Sequence, residues 1–208
     1  MKLYYFETPN GRKACAVARH LNAPVQYVRI DLAKGEQRAP AFLAVNPNGK
    51  VPALEDGATK LWEASAIMVY LARKAGSDLW PSDDRQVEVI RWLSWSHDHF
   101  SRHAGALFFQ TVIKPLVGMG DPDPAAVEEA TGFLKQFGRV LDDHLAGRRY
   151  LLGDTPTVAD FEVAAFLPDA PAARAALESF PEIGRWQDRM NGLPAWRQPY
   201  PVAAAAAA

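Results

Sequence analysis

Cysteine is almost missing from this sequence. The single copy, Cys15, excludes an intrachain disulfide and a thiolate-rich metal site. Long apolar runs are missing as well. No stretch free of Asp, Glu, Lys and Arg exceeds eleven residues, whereas a membrane helix needs roughly 18 or more. No secretory leader is expected, because Lys2 opens a strand-like pattern already broken at Glu7. With so little cysteine, the expected compartment is a reducing cytoplasm. There is no large excess of charge of either sign. The 208 residues carry 23 Lys/Arg and 24 Asp/Glu, a formal net charge of −1. Neither nucleic acid nor a membrane surface is therefore an expected partner. The distribution is uneven: residues 1–80 hold 11 basic against 7 acidic side chains, and residues 81–208 hold 12 against 17. A mildly positive N-terminal part suits a small anionic ligand. Hydrophobic residues make up 49% and charged residues 23%, which excludes wholesale disorder and fits one large domain or two small ones.

The chain changes grammar near residue 80. Leu3–Phe6 reads as a buried strand, and Thr8-Pro9-Asn10-Gly11 as a turn. Ala14, Val17, Ala18 and Leu21 then recur at helical spacing. Val25–Asp31 reads as a second strand, parallel to the first because a helix separates the two. A short helical turn is expected near Pro40–Ala44, followed by the turn Asn46-Pro47-Asn48-Gly49. Strands at Val51–Leu54 and Lys60–Trp62 flank a hairpin at Glu55-Asp56-Gly57-Ala58. Ala64, Ile67, Met68 and Leu71 line a closing helix. The predicted order is βαβαββα, a thioredoxin-like α/β domain with a mixed four-stranded sheet. Beyond the polar linker only helical patterns remain, at Gln86–Leu116, Ala125–Leu145, Val158–Leu167 and Glu182–Asn191. The predicted domains are residues 1–76, a linker at 77–84, an all-helical domain at 85–202, and a low-complexity alanine tail at 203–208.

Four segments, in order, resemble the glutathione transferases. They are Tyr4-Tyr5-Phe6-Glu7-Thr8-Pro9-Asn10-Gly11-Arg12-Lys13, Asn46-Pro47-Asn48-Gly49-Lys50-Val51-Pro52-Ala53-Leu54, Leu61-Trp62-Glu63-Ala64-Ser65-Ala66-Ile67, and Gly153-Asp154-Thr155-Pro156-Thr157-Val158-Ala159-Asp160. The Thr-Pro-Asn-Gly-x-Lys run is most similar to bacterial nu- and beta-class members. The resemblance implies an enzyme that uses glutathione as co-substrate, without a metal, to attack a hydrophobic electrophilic small molecule or a disulfide in a cleft between the domains. It also implies a cytoplasmic homodimer with a role in detoxification.

The chemistry such an enzyme needs is modest. The reactive form of a thiol is the thiolate, and a thiol of pKa ~8.5 is only a few per cent ionised at pH 7. Lowering that pKa by ~2 units takes roughly 2.7 kcal/mol. One hydrogen bond to a charged acceptor supplies ~1.5–3 kcal/mol, and a helix N-terminus adds ~0.3–1. One or two donors at the start of the first helix therefore suffice. By resemblance these are Thr8 and Asn10, which by residue type alone could equally be helix caps.

Val51 and Pro52 are expected to act through the backbone. With a cis peptide, Val51 would pair with the cysteinyl backbone of glutathione like an added antiparallel strand. Glu63 is assigned to the γ-glutamyl ammonium, although a carboxylate there also complements the helix dipole. Family members commonly have Glu-Ser at this point and here it is Glu63-Ala64, so the backbone N–H of Ala64, assisted by Ser65, is left to bind the γ-glutamyl carboxylate. Lys50 and Gln37 are candidates for the glycyl carboxylate. Arg102 falls where some beta-class enzymes place a basic group over the thiol.

Other signals carry no expected chemistry. Thr157-Val158-Ala159-Asp160 reads as a structural capping box. His97, His99 and His103 lack the neighbouring Glu of a zinc-protease helix. Cys15 lies too far into the first helix to serve as the nucleophile and is expected in the core. Trp92, Trp95, Phe100, Phe108 and Phe109 are expected mostly in the core, some lining the co-substrate pocket. Competing readings are a glutathione-dependent isomerase, dehalogenase or disulfide reductase, and a binding or regulatory module that has lost catalysis. Ala64 favours the last.

Overall fold

A computed structural model describes residues 1–201, so the alanine tail at 203–208 lies outside the described residues. The chain forms two compact units. The first comprises Met1–Asp78 and the described residues from Gly192 onward; the second is Leu79–Asn191.

In the first unit the strands are β1 (Lys2–Tyr5), β2 (Gln26–Arg29), β3 (Ala53–Asp56) and β4 (Thr59–Trp62), in the order β2-β1-β3-β4. β1 and β2 run parallel, while β3 is antiparallel to both β1 and β4. The parallel pair follows from the helix α1 (Pro9–His20) that joins it. Alternation along β1 sends Leu3 and Tyr5 to one face, where they are buried, and Tyr4 to the other. On one face pack α1 and α3 (Ala64–Lys74), whose stripe of Ala64, Ile67, Met68 and Leu71 is buried. On the other, Phe42 of the short α2 (Pro40–Leu43) joins Ile30, Val45 and Ala53, with Tyr4 and Val28 against them.

Several boundaries differ from expectation, and β2 is shorter at both ends than Val25–Asp31. Val51 and Pro52 precede β3 instead of opening it, since proline cannot donate to a ladder. The hairpin loop is only Gly57-Ala58, because Asp56 still pairs with Thr59. Gly57, at the first loop position, has φ +59°, where hairpin turns favour glycine.

The second unit is helical: α4 (Arg85–Trp95), α5 (Ser101–Phe108), α6 (Lys114–Leu116), α7 (Pro124–Leu145), α8 (Val158–Val163), α9 (Pro171–Leu177) and α10 (Pro181–Gly192), the last residue of which falls in the first unit. The expected single helix over 86–116 is interrupted twice by π-helical segments, Ser96–Phe100 and Phe109–Ile113. Each π turn adds a residue and resets the phase of the apolar stripe. At the first, Ser96 Oγ and Ser101 Oγ hydrogen-bond at 2.7 Å in a buried site. α8 stops at Val163, short of Leu167, while α9 and a four-residue helix in the first unit, α11 (Pro194–Arg197), were not expected. Both open with proline at the first helical position, a preorganised start for a helix too short to show a period.

Thr157 and Asp160 form the expected capping box at the start of α8. Asp160 is wholly buried, and its carboxylate accepts from the Thr157 N–H (2.8 Å), Thr157 Oγ1 (3.2 Å), the Leu151 N–H (2.9 Å) and Trp186 Nε1 (2.9 Å). Burial pushes its pKa up, opposed by these donors. The side chain thus ties α8 to the 150–157 loop and to α10.

Two stability predictions follow from these contacts. Asp160→Ala would orphan buried donors on Leu151, Thr157 and Trp186 and should cost at least about 1–3 kcal/mol, read as the shift of the urea midpoint. A Cβ at Gly11 would lie 2.1 Å from the Phe6 carbonyl oxygen. Since that neighbour is backbone, Gly11→Ala should destabilise the protein by about 1–3 kcal/mol, measured in the same way.

Candidate functional site

The first turn of α1 follows β1 through Phe6, Glu7 and Thr8. Thr8 is the N-cap, with an extended backbone (φ −129°, ψ 159°). Its Oγ1 accepts from the Gly11 N–H at 3.0 Å. Among the described residues the hydroxyl proton has only the Phe6 carbonyl at 3.5 Å, the outer limit of a hydrogen bond. Thr8 therefore caps the helix with its lone pair and keeps its O–H available as a donor. Asn10, in the first turn, is exposed, and its amide makes no hydrogen bond among the described residues. Pro9 lacks an N–H, and the other amides of this turn point out of the helix end.

Neighbouring aromatic and thiol groups are committed elsewhere. Tyr4 donates to Glu55 at 2.8 Å, and burial together with Glu55 pushes its pKa up to about 12. Cys15 is completely buried, which pushes its thiol pKa up. It is the small core residue that its position in α1 suggests.

The peptide between Val51 and Pro52 is cis. Among the described residues no backbone hydrogen bond outside the strands engages the N–H or carbonyl of Val51. The loop before it is organised by Asn46, which is only 2% exposed. Asn46 Oδ1 accepts from the Asn48 backbone at 3.0 Å, and Nδ2 donates to the Lys50 carbonyl at 2.6 Å. Lys50 itself is exposed. Gly49, at φ +60°, approaches the Gln37 carbonyl so closely that a Cβ there would sit 3.2 Å away. That contact brings the segments carrying Gln37 and Lys50 together. Gln37 Nε2 reaches only the Leu32 carbonyl, at 3.5 Å, and its Oε1 is buried without a partner among the described residues.

Glu63 is the N-cap of α3, not its first helical residue, and has φ +70° and ψ 120°. A non-glycine residue in this region costs on the order of 1–3 kcal/mol and persists where the surroundings impose it. Its side chain is exposed and caps nothing. Ala64 is buried and Ser65 partly buried behind it, with the first N–H groups of α3 lacking intrahelical acceptors.

Arg102 is exposed on α5 in the second unit. His97 lies 3.7 Å from the Glu162 carboxylate, whereas His99 and His103 pack against aromatic rings. His99 stacks on Phe137 at 4.7 Å and His103 on Phe133 at 4.7 Å. Burial and the charge of Arg102 push the His103 pKa down. Trp92 and Phe100 are core residues, while Phe109 is 40% exposed.

Sequence reasoning did not single out Asn46 or Gly11. The signal for both was present: Asn46 opens a dense turn run, and Gly11 sits where a helix start must pass close to a strand end.

Residues 1–73 match the glutathione S-transferase N-terminal domain, and residues 124–205 match the glutathione S-transferase C-terminal domain. Glutathione S-transferase 3 of Zea mays is 34% identical over 206 residues, spanning 95% of this chain and 92% of that protein. The solved structure of a glutathione transferase family member from Pseudomonas fluorescens with two glutathione bound has a TM-score of 0.85 at 28% identity, covering 95% of this chain and 91% of that one. Maize glutathione S-transferase I in complex with an atrazine glutathione conjugate has a TM-score of 0.86 at 27% identity, covering 95% of each chain. With matches to both of its domains and a relative of this identity along almost the whole length, the chain belongs to the glutathione S-transferase family.

Proposed function

We propose that this protein is a glutathione transferase that binds reduced glutathione on its first unit and stabilises the thiolate for attack on an electrophilic small molecule. The observation that carries this reading is the divided role of Thr8: Oγ1 accepts from Gly11 at 3.0 Å while the O–H is left to donate. In this reading that donor, the Asn10 amide and the α1 N-terminus would together receive the sulfur anion, the arrangement a thiolate needs. The thiol proton goes to solvent. The sulfur lone pair then forms the bond to the electrophilic carbon, and the leaving group departs with its electron pair.

The remaining assignments follow the shape of the tripeptide. Val51, preceding Pro52, offers the unpaired N–H and carbonyl that would hold the cysteinyl backbone as an added strand. Glu63 takes the γ-glutamyl ammonium, and Ala64 N–H with Ser65 takes the γ-glutamyl carboxylate. The loss of a serine hydroxyl at Ala64 weakens that contact by ~0.5–1.5 kcal/mol without abolishing it. Lys50 and Gln37 take the glycyl carboxylate, and their juxtaposition through Gly49 supports treating them together. The role of Arg102 over the thiol rests on the sequence resemblance alone. We assign glutathione binding to residues 1–76, joined by the linker 77–84 to residues 85–202, which supply the apolar co-substrate pocket. The nu- and beta-like bacterial subtype is supported by the Thr-Pro-Asn-Gly-x-Lys run, and a cytoplasmic homodimer by family resemblance.

Disulfide reduction is a second reading, favoured by the pair of glutathione molecules in the Pseudomonas fluorescens relative. There the thiolate would attack one sulfur of a disulfide and release the other as a thiolate.

The reading is tested by Thr8→Ala combined with Asn10→Ala. The pKa of bound glutathione should rise by about 1–2 units, read as thiolate absorbance against pH, with affinity by calorimetry within a few-fold. Because the variant's thiol ionises at higher pH, its turnover should collapse first on the acid side. Superimposable titration curves would overturn the mechanism, and absence of binding heat in the unmodified protein would overturn the site.

A further inference from the structure

Thr8 is held by contacts of very different range. Its N–H donates to the Phe6 carbonyl at 2.8 Å, its Oγ1 accepts from Gly11, and its carbonyl accepts the first helical bond from Arg12 N–H at 2.7 Å. All of these lie within a few residues. The exception is Tyr200, whose phenol donates to the same Thr8 carbonyl at 3.1 Å across 192 positions of sequence.

Tyr200 is itself placed with care by the first unit. Its ring stacks on Tyr5 of β1, centroids 5.7 Å apart and planes 17° from parallel. Tyr5 is in turn met edge-on by Tyr27 of β2, at 6.1 Å and 90°. The Tyr200 carbonyl accepts from Arg19 Nη1 at 2.8 Å, and the same atom of Arg19 reaches the Gln198 carbonyl at 2.5 Å. Two turns earlier along α1, Arg12 Nη1 donates to the Trp196 carbonyl at 3.0 Å, with its guanidinium 5.6 Å from the centre of that buried ring. Two arginines of α1 thus grip the backbone of 196–200, and the last side chain of that segment returns to the residue that caps α1.

We infer that Tyr200 is a positioning residue for the thiolate chemistry: by bonding the Thr8 carbonyl it fixes the direction in which the Thr8 hydroxyl is presented. The inference rests on the assignment of Thr8 as sulfur donor. The physical reason is that a hydroxyl on a short β-branched side chain follows its backbone closely. A carbonyl with two donors in different directions cannot pivot about the α1 axis as one with a single helical bond can. Small errors in such a donor are costly, since ångström-scale misplacement of a catalytic group costs as much as ~100-fold.

The experiment uses the full chain with Tyr200→Phe, which keeps the ring and its stack and removes only the hydroxyl. Expected are a fall in kcat near pH 6.5 of about three- to tenfold, a KM for glutathione within about twofold, and a rise of about half a unit in the pKa of the bound thiol. The melting temperature is followed in parallel to show that the variant folds. The same substitution is then made on Thr8→Ala, where it should leave the thiol pKa unmoved because the hydroxyl it positions is gone. An equal shift in both backgrounds overturns the inference, since Tyr200 would then act without Thr8. A shift in Thr8→Ala with none in Tyr200→Phe overturns it while leaving the Thr8 assignment standing. No shift in Thr8→Ala overturns that assignment and the inference together.

Discussion

The close passage of α1 over the end of β1 governs the rest of the first unit. At Gly11 the helix comes so near the Phe6 carbonyl that no side chain fits between them. This approach places the Gly11 N–H on Thr8 Oγ1 and, among the described residues, leaves the threonine proton only the Phe6 carbonyl at 3.5 Å. It also commits the α1 N-terminus to the strand end, where a parallel α/β arrangement gathers its ligands. A bulkier residue at position 11 would part helix from strand, and capping and presentation of the hydroxyl would be lost together.

The second unit is organised around a different interaction, a wholly buried carboxylate. Asp160 closes a capping box and also collects donors from the 150–157 loop and from Trp186. An isolated buried charge is very costly, so such a group persists only when its hydrogen-bonding capacity is filled. Within the same unit the long helical run from Arg85 is phased by two π turns. His99 and His103 on it stack against Phe137 and Phe133, which accounts for these two as packing groups.

Several site features are backbone features. The cis peptide before Pro52, the left-handed conformation of Glu63 and the positive φ of Gly49 shape the surface on which a tripeptide is proposed to lie. They would make the proposed site tolerant of side-chain change at points such as Ala64, whose backbone N–H, not its side chain, is the proposed contact. In the proposed mechanism very few side chains carry the chemistry, and the short β-branched Thr8 depends closely on how its backbone is held.

Much of this was legible in the residues themselves. The order of strands and helices follows from period and turn chemistry, because alternation and 3.6-residue spacing reflect which side chains are buried. The segment around Thr8-Pro9-Asn10-Gly11 announces a capped helix start, and Thr157 through Asp160 announces another. The tertiary structure decided what local pattern does not encode. The π turns between Trp95 and Lys114 are invisible to periodicity, since they are the places where the period slips. The short helices opening at Pro171 and Pro194 have too few turns to show a stripe. The return of residues 192–201 to the first unit, and with it the bond from Tyr200 to Thr8, joins positions 192 residues apart. Contacts of that range depend on the whole chain having folded, so a local reading of either end contains no trace of them.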